Sequence, residues 1–323
     1  MRFAVCLFSA LAVATGAVAQ DKKLTPVSYT LNWYPQAEHG GFFHAKAAGL
    51  YEKYGLDVTI RPGGPQVNIH QLLAAGQTDA IMGTAMRALN ARAQGVPIVT
   101  VFASFQKDPQ TLVTHAGVGH DKLADLKGKP IRLPAIARTN YWPWLKSKYG
   151  FSDEQIRGFE PGYAALGSDK MLSQQGFVTN DGWNARKVGL NLQSLLLADY
   201  GWGNYATTID VTEKTLKERP EVVRGLVKAT SEGWAAYLRD PSRAHAAIKQ
   251  ANPQMDPDLM QHSYEEMKKR GLLDSGDAAG GKIGMMTDAR WEKFVKEMQA
   301  AGALPANLDW KSAYTLQFVK DLR

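Results

Sequence analysis

The chain has a single cysteine in 323 residues, and that residue, Cys6, falls in the first apolar stretch. This scarcity excludes a disulfide framework, thiolate metal sites and a cysteine nucleophile from the rest of the chain. No second long apolar run follows, so nothing beyond the N-terminus is expected to span a bilayer. Charge of one sign is not concentrated either. The formal net charge is +7, yet basic and acidic residues alternate, as in Asp121-Lys122-Leu123-Ala124-Asp125-Leu126-Lys127. Nucleic-acid binding, which needs a basic patch or stripe, gets little support. A phosphate-binding GxxxxGK[ST] loop, a GxSxG nucleophile turn and an HExxH zinc motif are all missing. The chain is therefore not read as an ATPase, and no catalytic residue, cofactor or metal site is expected.

What is present begins with Arg2, an apolar run from Phe3 to Ala14, and the small residues Ala17-Val18-Ala19. That layout predicts a secretory signal peptide over residues 1–19, cleaved after Ala19. The run is shorter than the roughly 20 residues a membrane anchor needs. Cys6 lies too early to carry a lipid at the cleavage point. The expectation is a soluble monomer in the periplasm of a Gram-negative bacterium, with enough chain for two domains or one large one.

Beyond the signal, strand, turn and helix recur. Val27–Leu31 alternates like a strand and runs into the polar-aromatic loop Asn32 to His39. A helix is expected over 41–54, with Gly55 as its left-handed cap, then a strand over 56–60. Helices over 68–75 and 86–94 alternate with strands over 78–83 and 96–102, and 111–114 is extended. A further unit brings a strand over 131–134, a helix from about Thr139, helical structure over 154–157 and a strand over 177–179. Beyond Thr207 the pattern is strongly helical, with helices over 213–217, 220–238, 242–250, 257–270 and 288–301. Such alternation implies α/β architecture with largely parallel sheet.

Several segments carry a family resemblance. They are Leu31-Asn32-Trp33-Tyr34-Pro35 with Glu38-His39-Gly40-Gly41-Phe42-Phe43 and Ala45-Lys46, then Gly49 to Val58 and Leu72 to Ala80. The turn Asp125 to Lys129 and the helix start Pro220 to Val223 complete the set. In these the chain resembles the type II periplasmic solute-binding proteins, in particular those that take up thiamine pyrimidine precursors, nitrate, sulfonates and taurine. The resemblance implies two α/β lobes joined by a hinge, with a ligand cleft between them: residues 21–113 and 206–323 in the first lobe, 114–205 in the second. It also implies partners, namely a small-molecule ligand and an ABC permease in the inner membrane driven by a cytoplasmic ATPase.

Ligands of open α/β sheets bind beyond the carboxyl ends of the strands. That rule points to the loop of Asn32, Trp33, Tyr34 and His39, to Gly83-Thr84, to Phe105, to Arg138-Thr139-Asn140 and to Asn180-Asp181. Trp33 and Tyr34 offer stacking faces, and Asn32 and His39 donate and accept hydrogen bonds, a set that suits a flat heteroaromatic ring. In the pyrimidine-precursor group the resemblance pairs Asn32-Trp33 with an acidic residue of the second lobe, for which Asp181 is the candidate. Phe42, Phe43, Phe105 and Trp183 are expected to make the cleft aromatic. The alternative ligand is an anion or aromatic acid (a sulfonate, taurine or nitrate) held by Arg138 and a helix start at Thr139-Asn140. The same fold also resembles the pyrimidine synthases of thiamine biosynthesis. His39 or His70 would then be the consumed histidine and Lys46 the partner of a cofactor aldehyde. Against that stand the export signal and the absence of cysteine after residue 6.

Overall fold

The computed structural model describes residues 23–280 and 282–322. The segment read as a signal peptide, with Cys6, lies outside the described residues. Among the described residues, ten strands form two five-stranded sheets. They are β1 (Thr25–Thr30), β2 (Leu56–Arg61), β3 (Ala80–Thr84), β4 (Ile98–Phe105), β5 (Gln110–His115), β6 (Ile131–Arg132), β7 (Ile156–Arg157), β8 (Ser173–Phe177), β9 (Leu192–Leu196) and β10 (Ala206–Thr212). The first sheet runs β2-β1-β3-β10-β4 and the second β7-β6-β8-β5-β9. Each has the same plan. The strand that has crossed from the other lobe, β10 in the first and β5 in the second, runs antiparallel to both its neighbours.

The lobes are thus joined by two crossing segments, 106–109 and 197–205. Residues 110–113, expected in the first lobe, pair with β8 and β9 of the second. Asp108 ties the crossings together. Its Oδ2 accepts from Trp202 Nε1 at 3.0 Å and Asn204 Nδ2 at 2.6 Å, and its Oδ1 from the Gln110 amide at 3.2 Å.

The helices are α1 (Gly40–Ala47), α2 (Leu50–Lys53), α3 (Ile69–Ala74), α4 (Ala85–Ala93), α5 (Trp142–Tyr149), α6 (Ala164–Ser168), α7 (Val178–Lys187), α8 (Glu213–Glu218), α9 (Pro220–Arg239), α10 (Ser242–Ala251), α11 (Pro257–Lys269) and α12 (Asp288–Ala300). The helix expected over 41–54 breaks in two, because Gly49 takes the left-handed conformation at φ +69°. The strand expected over 177–179 ends at Phe177, and α7 begins at Val178. Residues 154–157 are a tight turn running into β7 rather than helix. The strand β10 occupies a stretch for which no element was expected, just ahead of the C-terminal helices.

The long helix α9 buries Val223, Leu226, Val227, Trp234 and Tyr237 against α1, α2 and β4. Its crossing with α1 is close. A Cβ on Gly233 would stand 2.4 Å from the Gly41 carbonyl oxygen and 2.6 Å from the Ala45 Cβ. Among the described residues, no helix is long and apolar enough to cross a membrane.

Candidate functional site

The loop after β1 is built by its histidine. His39 ends the 3-10 turn Ala37–His39 and is fully buried. Its Nδ1 accepts from the Gln36 amide at 3.1 Å, so the ring proton sits on Nε2, which faces Asn32 Oδ1 at 3.4 Å. Burial lowers the His39 pKa to about 3, keeping the ring neutral. With its oxygen turned to His39, Asn32 leaves its NH2 group outward as a donor. Next to it, Trp33 and Tyr34 are 43% and 51% exposed, their rings edge to face with centroids 5.6 Å apart. Gly63 supports them from behind, because a Cβ there would strike Leu31 O at 2.2 Å and Trp33 N at 2.8 Å.

The same loop touches the second lobe. Glu38 is buried, and its Oε1 accepts from the Thr179 hydroxyl in the first turn of α7. Burial raises the Glu38 pKa, and the Thr179 bond opposes the rise. Asn180 beside it accepts from Ser263 of α11 at 3.0 Å. On the other side of the cleft, Asn90 of α4 donates to the Thr139 carbonyl at 3.2 Å.

Other expected residues are placed as follows. Gly83 lies in β3 one residue before its end, against Asp210, where a Cβ would come within 1.9 Å of Asp210 Oδ2. Thr84 caps α4, its hydroxyl accepting from the Arg87 amide at 3.3 Å. Phe42 and Phe105 are fully buried against Trp234 in the core of the first lobe, Phe42 also against Tyr29, and neither reaches the cleft. Arg138 and Thr139 are exposed, and Asn140 is buried with its Oδ1 lacking any partner. The helix expected near Thr139 starts instead at Trp142, with Pro143 in its first turn, so Thr139-Asn140 does not cap it.

Asp181 sits in the first turn of α7, fully buried. It accepts from Thr111 (2.7 Å), Tyr163 (2.6 Å) and Ser194 (2.8 Å) hydroxyls and the Phe177 amide (2.9 Å). Burial pushes its pKa up despite these four donors. Its carboxylate is thus occupied inside the second lobe.

Sequence reasoning missed Glu38, Thr179, Arg87 and Tyr141. Glu38 stood in the quoted loop, but an acidic residue beside a histidine gave no sign that it would meet a hydroxyl 141 residues away. Of the residues weighed for synthase chemistry, Lys46 pairs at the surface with Glu52 at 3.3 Å and Asp57 at 3.0 Å. His70 is held neutral, its pKa lowered to about 4 by burial and by the Arg87 charge. A broad surface hollow of about 660 Å³ between α12 and residues 310–321 contains none of these residues.

The chain is similar in sequence and in fold to known proteins. The riboflavin-binding protein RibY of Chloroflexus aurantiacus is 26% identical over 321 residues, covering 95% of this chain and 90% of that one. The formylaminopyrimidine-binding protein of Halalkalibacterium halodurans is 26% identical over 88% of each chain. The 4-amino-5-hydroxymethyl-2-methylpyrimidine phosphate synthase THI5 of Saccharomyces cerevisiae is 26% identical over 74% of this chain and 75% of its own. Among solved structures, the periplasmic aliphatic sulphonate-binding protein SsuA of Escherichia coli superposes with a TM-score of 0.66 at 13% identity, covering 90% of this chain and 91% of that one. It shares the two-lobe periplasmic-binding-protein fold. The profile described as NMT1/THI5 like matches residues 36–244, and the chain belongs to that family.

Proposed function

We propose that the protein is the extracytoplasmic binding component of an ABC importer, capturing a planar heteroaromatic solute between its lobes. The observation that carries this reading is the loop at the carboxyl end of β1. An exposed Trp33-Tyr34 pair stands beside an Asn32 amide whose donor face is set by a buried, neutral His39. An inorganic anion has no use for two exposed rings, whereas a flat ring gains stacking area and an edge-on hydrogen bond from the same loop. The relatives named for binding riboflavin and formylaminopyrimidine support a flat nitrogen heterocycle as the ligand class.

In this proposal the lobes move about 106–109 and 197–205, the Asp108 junction serves as the pivot, and the closed form docks on a permease. Export would follow from the N-terminal segment 1–19. The reading is of a carrier and not of a synthase, supported by Lys46, which is tied to Glu52 and Asp57 at the surface and away from any ring.

A thermal-shift screen of the mature protein tests the proposal. It would include pyrimidines, flavins, taurine, alkanesulfonates, aromatic acids and nitrate. A ligand bound only by the folded state raises the melting temperature. Stabilisation by a flat heterocycle is the expected result, and stabilisation by nitrate or taurine alone would overturn it.

A further inference from the structure

We propose that the cleft contains an oxyanion subsite centred on Arg87, so that the ligand is a planar ring carrying an anionic group, a phosphate above all. The inference rests on the binding reading above and specifies the ligand further. Arg87 lies in the first turn of α4, directly after β3, where the sheet rule places ligands. Asn90, one turn further on the same helix face, donates to the Thr139 carbonyl of the second lobe. Arg87 therefore lies on the face of α4 that meets the second lobe at Thr139.

Among the described residues the half-buried Arg87 guanidinium makes no ion pair within 4 Å and no side-chain hydrogen bond. Burial accordingly lowers its pKa. Two carboxylates lie within electrostatic reach, but neither is its partner. Asp108 is engaged by Trp202, Asn204 and the Gln110 amide, and Asp210 accepts through Oδ1 from Thr100 at 2.8 Å and Thr208 at 2.7 Å, its buried Oδ2 making no hydrogen bond.

Directly after Thr139 in the chain, Asn140 Oδ1 and the Tyr141 hydroxyl are buried without any partner, and both residues are more than nine-tenths buried. Tyr141 also feels the Asp108 charge, which places its hydroxyl near the same junction. The His70 Nε2 near Arg87 is a further buried atom with no partner. Buried polar atoms left unpaired in this way are costly unless a guest completes them. The five-donor fork of an unpaired guanidinium matches the several oxygens of a phosphate. The amide of Asn140 is then available to the polar edge of the ring.

Paired probes that share a ring and differ only in the anion test this: riboflavin against flavin mononucleotide, and 4-amino-5-hydroxymethyl-2-methylpyrimidine against its phosphate. Titration calorimetry on the wild-type protein should show the phosphorylated member of a pair binding roughly 30-fold or more tightly. In Arg87→Gln that preference should shrink to about threefold or less while the neutral member keeps its affinity. Arg87→Lys should recover part of it, as a point charge without the fork.

Equal affinity within a pair on the wild-type protein overturns the subsite and leaves the ring reading intact, with no variant needed. A preference that survives Arg87→Gln overturns it as well. Methanesulfonate and inorganic phosphate form the third arm. If they bind in an Arg87-dependent way and no ring compound binds, the subsite stands and the heteroaromatic reading falls. If no probe binds at all, both fall.

Discussion

His39 does two things at once: it holds the Asn32 amide and it remains neutral in a dry site. Both depend on a pKa of about 3, far below that of a histidine in water. The unfolded chain therefore binds a proton on His39 at pH values where the folded chain does not. That contribution to stability is complete above about pH 6.5 and is lost as pH falls toward 3. Asp210 works in the opposite sense. Burial raises its pKa to about 6, so the folded state holds a proton that the unfolded chain has released. Its contribution is complete below about pH 4 and is lost as pH rises through 6. We predict that Asp210→Asn makes the melting temperature rise more steeply between pH 4 and 6.5, and that His39→Gln makes it rise less. Parallel pH profiles for both variants and the wild type would sink this. At the same scale, Trp33→Ala should weaken a flat heterocycle by about 1–3 kcal/mol and a small anion hardly at all. Calorimetry with one probe of each kind decides the matter.

Among the elements, α1 and α9 meet through glycines instead of large side chains. Gly233 faces the Gly41 carbonyl, and Gly41 lies under the Trp234 ring, where a Cβ would stand 2.1 Å away. Interiors are close-packed, so one added methyl forces the two helices apart. Gly233→Ala should lower stability by about 1–3 kcal/mol despite the better helix propensity of alanine, and a denaturant midpoint at or above the wild type would refute this. The sequence announces part of this layer. The period of α9 and the proline at its first turn are readable because they are local. The strand β10 was not readable, since Ala206–Thr212 is identified only by its pairing with β3 and β4, more than a hundred residues away in the chain. The same limit applies to the site. Asn32, Trp33 and Tyr34 could be picked out from residue type at a strand end. Asp181 was picked by the same logic, yet its carboxylate lies among Thr111, Tyr163 and Ser194, which come from three separate segments. Arg87 was passed over because a helical arginine in sequence looks like a solvated face.

Taken whole, the molecule is held across its cleft by a set of polar contacts that includes the Lys187–Asp256 pair and Arg186 beside His262, and one member, Glu38, is a buried carboxyl. The Thr179 hydroxyl donates to Glu38, Ser263 donates to Asn180, and Asn90 donates to Thr139. Glu38 is buried where Thr179 of α7 meets its turn, which also packs against α1 and α11, and Tyr237 is close enough to sense its charge. If the lobes part, the Glu38 carboxyl enters water and its pKa falls back toward the ordinary range. The closed form thus binds that proton more tightly than the open form, and linkage requires acid to favour closure and rising pH to favour opening. Ligand-free protein should then show a smaller radius of gyration at pH 4.5 than at pH 7.5 in small-angle X-ray scattering. Glu38→Gln, which keeps the shape and removes the charge, should be equally compact at both. Thr179→Val removes the donor that holds the charged form, so it should be the most open of the three at pH 7.5. It should also bind ligand more weakly, in proportion to the closed fraction it has lost. A wild-type radius that does not change with pH, or a Glu38→Gln variant that keeps the change, would remove Glu38 from the closure mechanism and leave it to the Asp108 junction and the other contacts across the cleft.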